Sequence, residues 1–242
     1  DDMYYSNHCF EEIFKLLEEK KPTVILTKWV EEIVDDRSKS NQIMHTSDII
    51  FLHGKIIKRS FLIDNNIRFS PNLRLHEDSY FCTILLLSAT DVITTDIITN
   101  YWRYRKDSLV RSKKEYHYLV RTFKDLLTCN KEVAKELDKR NHPFKDEYII
   151  KAIVYLYCIL ASYFFEDKKD KKLQGLKKDY EALFYQYLSD NLEIFNNIET
   201  DKVVQYMNEQ IQMFIHTNSN LGMKESWTEF ITRLTNEFEK EE

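Results

Sequence analysis

The sequence predicts an α/β first half, a mixed sheet with packed helices, followed by an all-α helical bundle, the two meeting near residue 112. Two observations carry this. Before that point β-branched runs alternate with segments of helical spacing; after it, apolar residues recur only at the 3.6-residue period of helices. The 242 residues are 43% hydrophobic and 14% aromatic, enough to build a sizeable core and too apolar for a disordered chain.

In the first half, SNHCFEEIFKLLEEKK offers Ser6 as a cap and Phe10, Ile13, Phe14 and Leu17 at helical spacing, with Pro22 as its stop. TVILTKWVEEIV is β-branched and reads as a strand, and DDRSKSNQ as a polar loop. SDIIFLHGKIIKRSFLIDNN predicts a helical stretch around Gly54 and then a short helix ending at Asn65-Asn66. LRLHEDSYFCTILLLSA predicts a helix opened by Glu77 and Asp78, in which Asp78 or Ser79 would accept hydrogen bonds from the unpaired first-turn N–H groups. DVITTDIITNYWRYR returns to strand character.

The second half predicts helices over 113–140, 145–166, 171–190, 199–217 and 224–240. Breaks fall at Asn141-His142-Pro143, at the Lys-rich 168–172 and around Gly222. Ala152 to Ala161 are ten consecutive apolar residues, against the roughly 20 that a membrane-spanning helix needs. A buried central helix is the expected role, and contact with a membrane the less favoured one.

Composition excludes several function classes. A net charge of −5 and a pI near 5.9 disfavour a general nucleic-acid binder, which needs a basic face. Only Gly54, Gly175 and Gly222 are glycines, and neither a P-loop nor a GxGxxG fingerprint occurs. Cys9, Cys82, Cys129 and Cys158 are widely spaced, without a CxxC pair, which suits buried free thiols and a cytoplasmic setting. The opening DDMYYSNHCF lacks a signal-peptide pattern and looks cut from something longer.

Four pieces over residues 1 to about 112 recur in a familiar order: Asp1-Asp2 before an aromatic-rich helix start, then HGKIIKRSFLIDNNIRF, HEDSYF and YWRYRKDSLVRS. In order and spacing they resemble the C-terminal part of a family 2 glycosyltransferase of the GT-A fold, beginning at its DxD-type motif. The resemblance implies an inverting, metal-dependent, hexosyltransferase-type enzyme that moves a sugar from a nucleotide-diphosphate sugar to an acceptor hydroxyl. Asp1 would ligate a divalent cation, manganese or magnesium, with Asp2 beside it. Asp78 would take the acceptor proton with Glu77 in support, and His76, Tyr104, Arg105, Ser108 and Arg111 would face substrate. The implied partners are a nucleotide-sugar donor and a glycan, polymer or protein acceptor, with no nucleic acid; the helical half would position an acceptor or partner, or pair with a second copy. The family's donor-binding half has no counterpart here, so the chain alone is expected to be inactive.

The residues also admit plainer roles. Asp1 and Asp2 read as a solvated chain end, the basic RYRKDSLVRSKK stretch as a solvated linker, and Tyr101, Trp102 and Tyr104 as core aromatics as readily as a sugar platform. His45, His53, His76 and His117 are candidates for a further metal ligand or an acceptor contact, but they lack HxH or HxxxH spacing, so a structural role is expected of each taken alone. The competing functional reading is a non-catalytic helical interaction module whose α/β part only supports it. An enzyme would bring the acids around one cleft, whereas a scaffold would scatter them.

Overall fold

A computed structural model describes residues 2–34, 39–47, 50–106, 116–163, 171–197, 199–216 and 227–238. The chain divides into two compact units, Asp1–Lys113 and Lys114–Glu242.

The first unit is built on a five-stranded mixed sheet. Its centre is β2 (Val24–Val34), the β-branched run, where Val24, Ile25, Thr27, Trp29 and Val30 are all buried. Strand β5 (Val92–Trp102) lies parallel to it on one side, and β1 (Asp2–Tyr4) closes that flank antiparallel to β5. On the other side β4 (Lys55–Ile57) pairs with the first residues of β2, and β3 (Ser40–His45) with the last, both antiparallel. Register shifts between β2 and β5 fall around Lys28, just before Trp29. Helices α1 (Cys9–Lys20), α2 (Arg59–Asp64) and α3 (Glu77–Ser88) complete the unit. In α3 the residues from Tyr80 to Leu85 are buried without a break, so this helix is enclosed rather than laid on a surface.

Three local expectations are corrected. Ser6 does not cap α1: the cap position is His8, and Ser6 Oγ instead accepts the His8 backbone N–H at 3.3 Å. The loop expected over 35–42 gives way at Ser40 to β3, an edge strand exposed along most of its length. Such a strand lacks the apolar alternation that marks a half-buried one; its support is the ladder to β2 and a 2.8 Å hydrogen bond from Ser40 Oγ to Glu32 Oε1. The residues around Gly54 form a turn running into β4, not a helix. Gly54 has φ +70°, its carbonyl accepts the Thr27 N–H at 2.7 Å, and its own N–H donates to Asn100 Oδ1 at 3.1 Å. Close approach to β2 leaves no room for a side chain there.

The second unit is helical throughout its described residues. Its helices are α4 (Tyr116–Lys139), α5 (Lys145–Tyr163), α6 (Lys171–Ser189), α7 (Leu192–Asn196), α8 (Thr200–His216) and α9 (Trp227–Phe238). The short α7 has no counterpart among the helices expected from sequence. Val154, Leu156 and Leu160 of α5 are all buried among Phe123, Phe184, Tyr187 and their neighbours, so the apolar run forms the core of this unit. Two of its buried polar groups are paired across helices: Tyr148 donates to Asn130 Oδ1 at 2.9 Å, and Arg233 meets the buried Glu181 at 2.8 Å. All four cysteines are buried free thiols, and desolvation pushes that of Cys158 up to about 12. Among the described residues no helix is long and apolar enough to cross a membrane.

Candidate functional site

The site lies in the first unit, where the start of α3 meets the turn before β4. Helix α3 begins where the acidic pair predicts, but its cap position is His76, held at φ +63° with no side-chain cap hydrogen bond. Glu77 and Asp78 therefore occupy the first turn itself, and capping is not what Asp78 does. Its carboxylate instead accepts the backbone N–H of Leu52, a residue of the turn before β4.

That turn is stitched to α3 by further bonds. Ser79 Oγ donates to the Ile50 carbonyl and Cys82 Sγ to that of Phe51, both at 3.5 Å. Lys55 Nζ donates to the same Phe51 carbonyl and to Ser47 Oγ, the latter at 3.0 Å. The Asp78 carboxyl titrates above its ordinary range, first because it is half-buried and then because Glu77 adjoins it. The Leu52 N–H, His53 and Lys55 pull the other way without reversing the shift. A carboxylate held at a rigid helix start with raised basicity suits proton abstraction.

His53, which acts electrostatically on Asp78, also contacts a second acid. Its Nε2 lies 3.4 Å from Asp2 Oδ1 on β1. The imidazole is part of an aromatic stack, 4.9 Å and 26° from the buried Trp29 and 5.6 Å and 23° from Trp102. Beyond it, Trp29 stacks on His45 at 4.1 Å, whose Nε2 meets Glu31 Oε2 at 3.1 Å. Phe51 packs edge-on to Trp29 at 5.3 Å. His53 Nδ1 and Trp29 Nε1 are buried with no hydrogen-bond partner among the described residues.

The structure thus places Asp78 beside Glu77 and under the electrostatic influence of His53, whose ring contacts Asp2, with His76 directly before Glu77 in the chain. Tyr104 and Arg105 follow the end of β5, and the Tyr104 N–H donates to Glu32 Oε2 of β2 at 2.9 Å. Asp1, Ser108 and Arg111 lie outside the described residues, as does the side chain of His117. Among the described residues no three His, Cys, Asp or Glu side chains converge as a protein-only metal cage. Asp2 offers something narrower: an exposed carboxylate of the kind a hard cation uses when phosphate and water supply its other ligands.

From the sequence a structural role is expected of His53, and no role at the site of Lys55. The signal was present, since both flank Gly54 inside HGKIIKRSFLIDNNIRF, but a helical reading of that segment separated them from Asp78. Trp102 is partly buried against His53 and Phe51, the core role rather than an open platform.

No protein-family model and no curated protein matches the sequence. Solved structures of S. aureus TarS are similar at low identity. TarS 1–349 in complex with UDP-GlcNAc is 18% identical, with a TM-score of 0.45, over 77% of this chain and 55% of that one. TarS 1–349 alone gives 14%, 0.44, 93% and 71% in the same order, and a longer TarS chain 17%, 0.42, 78% and 33%. This chain therefore spans about half the length of the first of them. At these scores the likeness assigns neither family nor activity.

Proposed function

We propose that the chain is the acceptor-side part of an inverting glycosyltransferase, a hexosyltransferase type that uses a nucleotide-diphosphate sugar. The observation that carries this is the Asp78 carboxylate: half-buried at the first turn of α3, raised in pKa against the pull of the Leu52 N–H, and under the electrostatic influence of His53, which itself contacts a second acid, Asp2. It occupies the place where the four sequence pieces, taken in order, put the base of a family 2 enzyme.

In the reaction so read, the acceptor hydroxyl oxygen attacks the anomeric carbon as the bond from that carbon to the diphosphate breaks. The hydroxyl proton passes to Asp78, and the nucleotide diphosphate leaves with the bonding electrons. Attack from the face opposite the leaving group inverts the centre in one displacement. A divalent cation, manganese or magnesium, would offset charge on the leaving diphosphate. Asp2, with Asp1, would face it from the protein, and Arg105, Ser108 and Arg111 would bind on the donor side.

Nucleotide-diphosphate sugars supplied to the intact protein, with the released nucleotide and the product anomer both measured, test the reading. Release of a nucleoside diphosphate and an inverted product are expected. Retention of configuration, or release of a sugar phosphate in place of the nucleoside diphosphate, refutes it.

A further inference from the structure

His53, which contacts Asp2, has no role in the reaction as written, yet its surroundings constrain it more tightly than a space-filling residue needs. Its ring is stacked with Trp29 and Trp102, which restricts rotation. Only its Nε2 edge reaches a carboxylate, Asp2 Oδ1 at 3.4 Å; Nδ1 is buried without a partner among the described residues. The groups packed on or touching the ring are Asp2 from β1, Trp29 from β2, Phe51 from the turn before β4 and Trp102 from β5, and Asp78 of α3 interacts with it electrostatically. Asp2 is largely exposed and sits at the sheet edge, so its side chain has little else to fix its direction.

We propose that His53 is a positioning residue: packed against both Trp29 and Trp102, it directs the Asp2 carboxylate toward the space in front of Asp78, so that the donor-side acid and the acceptor-side base keep a fixed separation. This rests on the glycosyltransferase reading above. Nε2, the nitrogen that faces the Asp2 carboxylate, is the one that must carry a proton for this contact.

Two arms test it. In the first, the ring nitrogens of the chain are observed by NMR at one fixed pH. His53 is expected in the Nε2-protonated form, and Asp2→Asn and Asp78→Asn should each move its ring signals while leaving those of the exposed His8 in place. In the second, sugar transfer by the intact protein is measured for two variants. His53→Phe keeps the stack and loses the N–H, and transfer should fall about 10- to 100-fold, the usual effect of removing a group that orients a ligand. Its melting temperature should stay close to the parent's. His53→Gln restores an N–H of similar reach and should recover part of the loss, which a purely packing role would not allow. His53 signals indifferent to Asp2→Asn overturn the proposal, and so does parental transfer by His53→Phe. If the unaltered protein transfers no sugar, the glycosyltransferase reading falls and the NMR arm alone decides whether His53 holds Asp2.

Discussion

Helices α1 and α3 are both twelve residues long, both carry two acids in the first turn, and neither start has a side-chain cap hydrogen bond among the described residues. In α1 the acids are Glu11 and Glu12, exposed to water, and Glu11 meets only the equally exposed His8 at 3.3 Å. In α3 they are Glu77 and Asp78, and Asp78 is half-buried under the turn before β4 with its pKa raised. The difference lies in what the helices are packed into. Helix α1 buries Cys9 and Ile13 and stays on the surface, whereas α3 is enclosed from Tyr80 to Leu85 and drags its first turn into a crowded place. An acid pair at a helix start is thus a common local pattern; chemistry comes from the segment folded over it.

The sharpest way to break that comparison is to neutralise one acid in each helix. Asp78→Asn keeps the shape of the side chain and its ability to accept the Leu52 N–H, but removes proton acceptance. Turnover in the intact protein should fall by about 10² to 10⁴, while donor binding is nearly unchanged. Glu77→Gln should cost less, because Glu77 acts on Asp78 rather than on substrate. Full transfer by Asp78→Asn would remove the chemical distinction between the two helices.

A second test removes what is packed over Asp78 and leaves the acid in place. Gly54 holds φ +70°, and a Cβ there would stand 2.5 Å from the Thr27 carbonyl oxygen. Gly54→Ala should cost about 1–3 kcal/mol for the left-handed backbone, more with the clash, and lower the melting temperature of the first unit by roughly 4–8 °C per kcal/mol. A melting curve within a degree of the parent's would mean that the turn before β4 accommodates a side chain.

These two residues also mark how far the sequence could be read. The β2, β5 and α3 elements and the buried α5 run were legible because each rests on a period that one segment carries by itself. Strand β3 was not, because an exposed edge strand has no buried face to write in its sequence and depends on β2 for its pairing. The turn at Gly54 was misread because Ile50, Phe51 and Leu52 are apolar in succession, while its conformation is set by Thr27 and Asn100, far away in the chain. At the site, Asp78 could be picked out from HEDSYF, but its Leu52, His53 and Lys55 neighbours come from a segment about 25 residues earlier. Which residues share a motif is local information; which residues desolvate it is not.

A third prediction reads the same burial through stability. The raised pKa of Asp78 means that the native state keeps its proton to higher pH than the unfolded chain, whose value is near 3.8. Below 3.8 the carboxyl is protonated in both states and costs nothing. As pH rises through that value the unfolded chain ionises first, so stability falls until the native carboxyl has ionised too. Asp78→Asn removes this loss. Its melting temperature at pH 7 should match or exceed the parent's, with the advantage shrinking as pH falls toward 3.8. A lower melting temperature at pH 7, growing smaller with acid, would show the carboxylate to be stabilising and would reverse the sign of the argument.

The smallest expected effect is on α1, and it makes the comparison exact. Glu11→Gln and Glu12→Gln alter the charge of a first turn just as Glu77→Gln does, and they remove the same favourable interaction with the helix dipole, about 0.3–1 kcal/mol at an exposed site. The loss of the His8 contact adds little, because an exposed pair is worth about 0–1 kcal/mol. Melting of the double variant should therefore change by no more than a few degrees, with the change screened by added salt, and sugar transfer should be untouched. A drop in transfer comparable to that of Glu77→Gln would mean that charge at a helix start matters in itself, wherever the helix lies, and burial would lose its place as the cause. Retained transfer with a salt-sensitive shift in melting would leave the dipole as the whole role of the α1 acids and desolvation as what sets Asp78 apart.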